Sequence, residues 1–422
     1  MKSRKAKFFT EICISVLIAG FFLFITYWTM NYQIPISAEK AKLQFFEAYR
    51  LSHWPREDSN LTDSVIMIDT HYDQQFVMEK DPYSSLENGL VPVVDREKLL
   101  RCLEYLKQRK EYKYILLDIF FDKAVRQDAD STLYKTIASM PRLLLAKPQD
   151  IPIADPCLAP KTGRVQYKTA LWENDFVKYP FSYEGEKSLP LMMYEDKTGR
   201  TIKKWGPLYW DKGLARNSII LTYPNVDLDE RSFLGGSDDY PIEEVLKDAC
   251  GKYILIGDFE DDLHNTFLGE IPGTLINFYA FLALFHGHHK IGIGMFFSLL
   301  LVFAIPVYLK ISNYRIPKRI YYFIRKYNLV NRIISFLKDI LCKPKKNRLF
   351  EVIRSILYFS YVILSKLFSS WIGYPLYLTI VCLYTYVVFN EAYDIFITTL
   401  LFYLLNVIWD SYQEYLTKSN RQ

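Results

Sequence analysis

Four uncharged apolar runs, gathered at the two ends of the chain, restrict its architecture more than any other feature. Residues 12–30 (ICISVLIAGFFLFITYWTM) and 291–309 (IGIGMFFSLLLVFAIPVYL) each run 19 residues without a charge. At ~1.5 Å rise per residue, such a helix reaches ~28 Å, close to the hydrocarbon thickness of a bilayer. Residues 367–390 form a third run and 395–409 a shorter fourth, which needs Ala392–Asp394 near the interface to complete a span over 392–409. A backbone inside lipid must satisfy its own hydrogen bonds, so these segments are expected to be helices. A cleaved signal peptide is the rival reading of 12–30. The run is long for one, and no A-x-A site follows it cleanly.

Charge sets the orientation. The net charge is +5, but the positives are sorted along the chain. Lys2, Arg4, Lys5 and Lys7 precede any acid, and residues 311–350 hold eleven Lys and Arg against Asp339 alone. Positive residues flanking spans stay in the cytoplasm. Residues 1–11 and 311–366 are therefore read as cytoplasmic, 31–290 as extracytoplasmic, and the tail 410–422 as cytoplasmic again. This places the chain in the cytoplasmic (inner) membrane of a bacterium. A nucleic-acid binder would carry its basic patch on a folded domain, so nucleic acid is excluded as a partner and the lipid bilayer is included. Arg354 and Lys366 bracket only eleven uncharged residues, read as an amphipathic helix on the inner surface, with a fifth span as the alternative. The preceding aromatic and basic mixture (RIYYFIRKYNLVNRIISFLKDIL) suits anionic headgroups, or equally a partner protein.

The stretch 31–290 has the pattern of one α/β domain. Short apolar runs, Val65–Asp69, Tyr114–Asp118, Leu143–Ala146, Ile219–Tyr223 and Tyr253–Gly257, read as buried strands. Helical periodicity marks 38–54, Asp95–Lys107 with Asp95 as N-cap, Ser131–Met140, Ile242–Ala249 and Thr274–His286. Alternation of the two predicts a central mixed, largely parallel sheet flanked by one N-terminal and about three C-terminal transmembrane helices. The last domain helix runs almost directly into the second span, as a transmitting element or a plain anchor. Cys102 lies in an amphipathic pattern and reads as a buried free thiol. Cys157 and Cys250 are open either to a bridge or to remaining free.

The order SVIMID (64–69), VDREKLLRCLEYL (94–106), KYILLDIFFD (113–122), DADSTLYKTI (128–137), GKYILIGDFEDD (251–262) and IPGTLINFYAFL (271–282) resembles the type-two CHASE domain. That family is the extracellular sensory module associated with cyclases and histidine kinases. The resemblance covers roughly residues 35–290 and the flanking spans, and implies a sensory input domain. The family's middle D-x-D-G element is replaced here by Glu173–Asp175, and no effector module follows the C-terminal spans.

The carboxylates Asp69, Asp118, Asp122 and Asp258 fall at or just after predicted strand ends, where α/β sheets bind ligands. With Arg96 at a helix start they are the candidate ligand-binding set; helix caps and loop ties are the alternative for each. Asp261, Asp262, His264 and Thr266 form an oxygen-rich run that either holds a divalent cation or is a solvated loop. His286, His288 and His289 suit zinc, pH sensing or an interfacial polar collar, the last being preferred. No metal and no cofactor is assigned. There is no G-x-S-x-G, Walker loop, H-E-x-x-H or kinase pattern, so the chain is read as a non-enzyme. The expected function is a membrane-anchored sensor or input subunit that binds an extracytoplasmic ligand or protein and acts through a cytoplasmic or membrane effector. The alternative is a non-signalling envelope scaffold, and a homo-oligomer is left open.

Overall fold

A computed structural model describes residues 2–31, 38–53, 64–80, 87–148, 152–167, 178–220, 227–236, 241–267, 269–312, 373–389 and 395–419. The chain divides into two compact units, Gln33–Gly292 and a second made of Met1–Tyr32 with Ile293–Gln422. Helix α1, Lys2–Asn31, opens the second unit. Helix α2, Ala38–His53, opens the central one.

The central unit is α/β. Strand β1 (Val65–Asp69) leads into a hairpin of β2 (Gln74–Lys80) and β3 (Glu87–Val94), then helix α3 (Arg96–Arg109) and strand β4 (Tyr114–Leu117). Helix α4 (Asp130–Ser139), strand β5 (Leu143–Lys147) and strand β6 (Thr162–Arg164) follow. The short strands β7 (Tyr179–Pro180), β8 (Ser182–Tyr183) and β9 (Glu186–Lys187) precede helix α5 (Leu189–Thr198). Beyond it lie β10 (Lys203–Trp205), β11 (Leu208–Trp210), β12 (Leu214–Ala215) and β13 (Ser218–Ile219). The chain returns through β14 (Ser232–Phe233), the single turn α6 (Ile242–Val245) and β15 (Tyr253–Gly257). A last hairpin of β16 (Leu263–Thr266) and β17 (Gly269–Pro272) delivers helix α7 (Gly273–Phe285).

Six strands form one sheet in the order β14-β1-β15-β4-β5-β6, and every pairing in it is parallel. The antiparallel pairs expected in a mixed sheet are segregated into small separate sheets, including β2-β3 and β16-β17. Parallel strands need both faces covered, so their sequences are apolar throughout: VIMID, YILL and YILIG are buried at every position. The two-residue pleat sorts these side chains. Met67, Leu116 and Leu255 face one core with α5 and α7, whereas Ile68, Leu117 and Ile256 face the other with α3, α4 and α6. Truncating one such Leu or Ile to Ala would cost about 2–5 kcal/mol.

Helix α3 begins where the sequence predicts. Asp95 caps it by accepting from the Glu97 and Lys98 amides, and its inner stripe is Leu99, Cys102, Leu103 and Leu106. Burial in that stripe pushes the Cys102 thiol up to about 12, the state of an inert core thiol. Cys157 and Cys250 are both free. Of the strand expected at Ile219–Tyr223, the part described as strand is Ser218–Ile219, which pairs antiparallel with β7 outside the main sheet. Residues 221–226, like Glu173–Asp175, 313–366 and the basic stretch among them, lie outside the described residues.

In the second unit, α8 (Ile293–Ile311), α9 (Gly373–Phe389) and α10 (Ile395–Ser419) join α1. Among the described residues, two segments, Ala6–Trp28 and Ile293–Ile311, are long and apolar enough to cross a membrane. Met295, Leu299, Phe303 and Val307 form one buried stripe on α8 at four-residue spacing. Phe303 meets Phe22 of α1 edge-on at 6.4 Å. Helix α10 continues ten residues past Trp409, where the tail was expected, because Asp410–Ser419 contains neither Pro nor Gly to stop it.

Candidate functional site

Strand register brings three acidic strand ends side by side. Asp69 of β1 lies opposite Gly257 of β15, and Leu117 of β4 lies opposite Ile256. Asp69, Asp118 and Asp258 therefore stand along the C-terminal edge of three adjacent strands. The chain leaving β1 goes through α3 on one face, and the chain leaving β15 goes through α7 on the opposite face. Such divergence opens a crevice at the strand ends, the usual ligand position in a parallel sheet.

A single acidic loop, Asp258–Asp262 (DFEDD), fills this edge. Asp258 Oδ1 accepts from the amides of Glu260 at 2.9 Å and Asp261 at 2.8 Å, which winds the loop into a tight turn. Its other oxygen, Oδ2, lies 3.4 Å from Nδ1 of His71. Asp261 Oδ2 lies 3.4 Å from the same nitrogen. Glu260 accepts from the Tyr72 hydroxyl at 2.7 Å and pairs with Arg231. Arg231 Nε also lies 3.1 Å from Oδ2 of Asp69, whose side chain has no exposed surface. Asp69 Oδ1 takes the amides of His71 at 3.0 Å and Phe259 at 3.3 Å. Burial pushes the Asp69 carboxyl up, against the pull of those two amides and of Arg231. Burial favours the neutral ring of His71, but Asp258, Asp261 and Glu260 outweigh it and raise its pKa.

The second cluster lies at the ends of β15 and β4 and at the start of α7. Asp118 Oδ2 accepts from Asn277 Nδ2 at 3.0 Å, and Asn277 Oδ1 accepts from Tyr179 at 2.5 Å. Asp262 Oδ1 lies 3.0 Å from Nε2 of His264, whose Nδ1 meets the Tyr167 hydroxyl. Burial, reinforced by the charge of Asp262, pushes the Asp118 carboxyl up to about 7; Asn277, Thr274 and His264 pull the other way. His264 is raised by its bond to Asp262, against its own burial. Two glycines make room. A Cβ on Gly257 would meet Thr274 Oγ1 at 2.1 Å and Asp118 Cβ at 3.1 Å, and one on Gly273 would meet Asp262 Oδ2 at 2.3 Å.

The sequence-predicted set is thus divided. Asp69 and Asp258 share the first cluster, and Asp118 is the centre of the second. Arg96 joins neither. Its guanidinium is buried, ion-paired with Asp130 at 3.7 Å, bonded to the Phe120 carbonyl and stacked 4.3 Å over the Phe121 ring. Asp122 accepts from the Ala124 amide in a turn. Both serve the loop after β4, because a helix-start arginine at this depth needs partners on the nearest element. The run Asp261, Asp262, His264 and Thr266 is also split, with Asp261 in the first cluster, Asp262 and His264 in the second, and Thr266 bonded to the Gly269 carbonyl. Of the three histidines before α8, His289 is wholly buried against Asp211 at 2.8 Å, which corrects the polar-collar reading for that residue. Burial pushes it down to about 4. A cavity bounded by Phe121, Leu145, Lys147 and Leu158 shares no residue with either cluster.

Sequence reasoning missed His71, Tyr72 and Arg231. The signal for the first two was available, since THYD directly follows a strand ending in Asp. Arg231 sits in a segment without periodicity, ahead of a two-residue strand, and nothing local marks it. No family model, curated protein or solved structure matches the chain.

Proposed function

We propose that the chain is a membrane-anchored input subunit whose central domain lies outside the cytoplasm and binds a signal at the C-terminal edge of β1 and β15. The observation that carries this reading is the convergence of Asp69, His71, Asp258, Glu260, Asp261 and Arg231 at the C-terminal sheet edge, where the strand connections diverge to opposite faces. A cluster this polar, assembled from three separate chain segments, is more than any one helix cap or turn requires. The charge bias around the apolar runs supports the orientation, and the motif order that resembles the type-two CHASE domain supports a sensory role. The bias would reach an effector through the basic residues of 311–350.

The scaffold reading draws its support from Arg96 and Asp122, which are consumed in local structure. Crosslinking in cells from residues 311–350, followed by purification and mass spectrometry, separates the two. Recovery of a kinase, cyclase, protease or other effector is the expected result. Recovery of the chain itself with envelope structural proteins alone would overturn the input role in favour of the scaffold.

A further inference from the structure

The donors of the first cluster have a more specific chemistry than a generic polar crevice. His71, Asp258 and Asp261 each offer one atom, and the three atoms lie within 4.8 Å of one another. Both nitrogen–oxygen separations from His71 Nδ1 are 3.4 Å. A tetrahedral ion with bonds of ~2.1 Å holds its donors ~3.4 Å apart, whereas octahedral neighbours at that bond length stand ~3.0 Å apart. The two separations from His71 fit the first geometry. Calcium takes six to eight oxygens and magnesium keeps an octahedral shell, so one imidazole with two carboxylates suits a zinc-like ion better than either.

The surroundings are also those of a ligand set rather than of a chance surface cluster. Asp258 keeps Oδ2 for the site because Oδ1 is held by two backbone amides. The other nitrogen of His71, Nε2, faces Glu260 Oε2 at 3.9 Å, the side on which metal-bound histidines meet an outer carboxylate. Glu260 is itself fixed by Tyr72 and Arg231. Asp69, Asp258, Glu260 and Asp261 outnumber the guanidinium of Arg231 and the imidazole of His71, so the field favours a cation. Asp261 is 76% exposed, which leaves an open side for entry and for a fourth ligand.

We propose that His71 Nδ1, Asp258 Oδ2 and Asp261 Oδ2 form a three-ligand site for a tetrahedral divalent cation of the zinc type, open to solvent at the fourth position. This rests on the crevice being the ligand site of the domain and is independent of what the effector is. The test uses the full chain in detergent, stripped with a chelator and titrated with Zn²⁺ against a chromophoric competitor. Co²⁺ is then substituted to read its visible absorption. One equivalent of Zn²⁺ per chain and an intense tetrahedral Co²⁺ band are expected. His71→Gln and Asp258→Asn should weaken binding at least tenfold, and His264→Gln in the second cluster should leave it unchanged. An unfolding transition in each variant verifies that it is folded. No zinc uptake by the native chain, or uptake that is indifferent to His71→Gln and Asp258→Asn, overturns the proposal. Partner capture from residues 311–350 with and without the chelator keeps the two proposals apart. A partner recovered from a chain that takes up no zinc retains the input role without the metal. Zinc uptake with no partner retains the metal without the input role.

Discussion

The two clusters at the sheet edge draw on one loop of five residues, yet they handle charge in opposite ways. On the β1 side each acid finds a basic partner or a hydrogen-bond donor: the buried Asp69 with Arg231, and the more exposed Glu260 with Arg231 and Tyr72, Asp258 and Asp261 with His71. On the β4 side Asp118 is half-buried, bonds the neutral Asn277 and has Asp262 for a neighbour, so the carboxyl resists ionisation. The difference comes from α7. Its first turn closes over the ends of β15 and β4, and among the described residues no helix of this kind covers the loop that leaves β1. A strand-end aspartate is therefore a charged group or a near-neutral hydrogen-bonding group according to what the next element covers.

Closure by α7 is the first part of this comparison to break. Gly257→Ala places a methyl group against Thr274 and Asp118 where the backbone and side chains leave no space. It is expected to cost about 3 kcal/mol, the upper end of ordinary overpacking, read by chemical denaturation of the full chain in detergent. A variant as stable as the native chain would show that α7 does not close tightly over the strand end. Arg231→Met acts on the exposed side alone. It leaves the Asp69 carboxylate buried without its counter-charge, at a cost of about 2 kcal/mol once the partial exposure of the guanidinium is allowed for. Adding Asp69→Asn should recover part of that loss, and a strictly additive double variant would rule out the pair as the cause.

The sheet was legible in the sequence because its strands are buried on both faces. Val65–Asp69 and Tyr253–Gly257 are continuous apolar runs and match the observed bounds. Helix α3 was legible because Asp95 and the stripe from Leu99 to Leu106 specify both its start and its inner face. The two-residue strands were not, since a pair such as Ser232–Phe233 adds to an existing edge and carries no periodicity of its own. The site was half legible for a related reason. Strand-end position identifies Asp69, Asp118 and Asp258, but which of them meet depends on how far the loop Asp258–Asp262 turns. The bonds from Glu260 and Asp261 to Asp258 decide that turn. Arg96 misled because a basic residue at a helix start looks available, whereas Asp130 and the loop after β4 were folded over it.

The smallest expected effect carries the sharpest sign. The Asp118 carboxyl titrates near 7 in the folded chain and near 3.8 when unfolded. Between those values the folded state holds a proton that the unfolded state has lost, so this group's contribution to stability falls as pH rises through the window. It is fully present below about 3.8 and gone above about 7. The groups facing it are Asp262 and His264 from the β15–β16 segment, Thr274 and Asn277 from α7, and Tyr179 beyond Asn277. His264, whose pKa is raised by Asp262, also changes charge as pH rises, so the informative quantity is the difference between the native chain and Asp118→Asn. The amide keeps an acceptor for Asn277 and removes the ionisation. Asp118→Asn should unfold at higher denaturant than the native chain at pH 8, by on the order of 1–2 kcal/mol after discounting for water at the strand end. That advantage should shrink to nothing by pH 4. An advantage that is constant across this range would mean that Asp118 ionises as an ordinary carboxylate, and the contrast between the two clusters would then be one of packing alone.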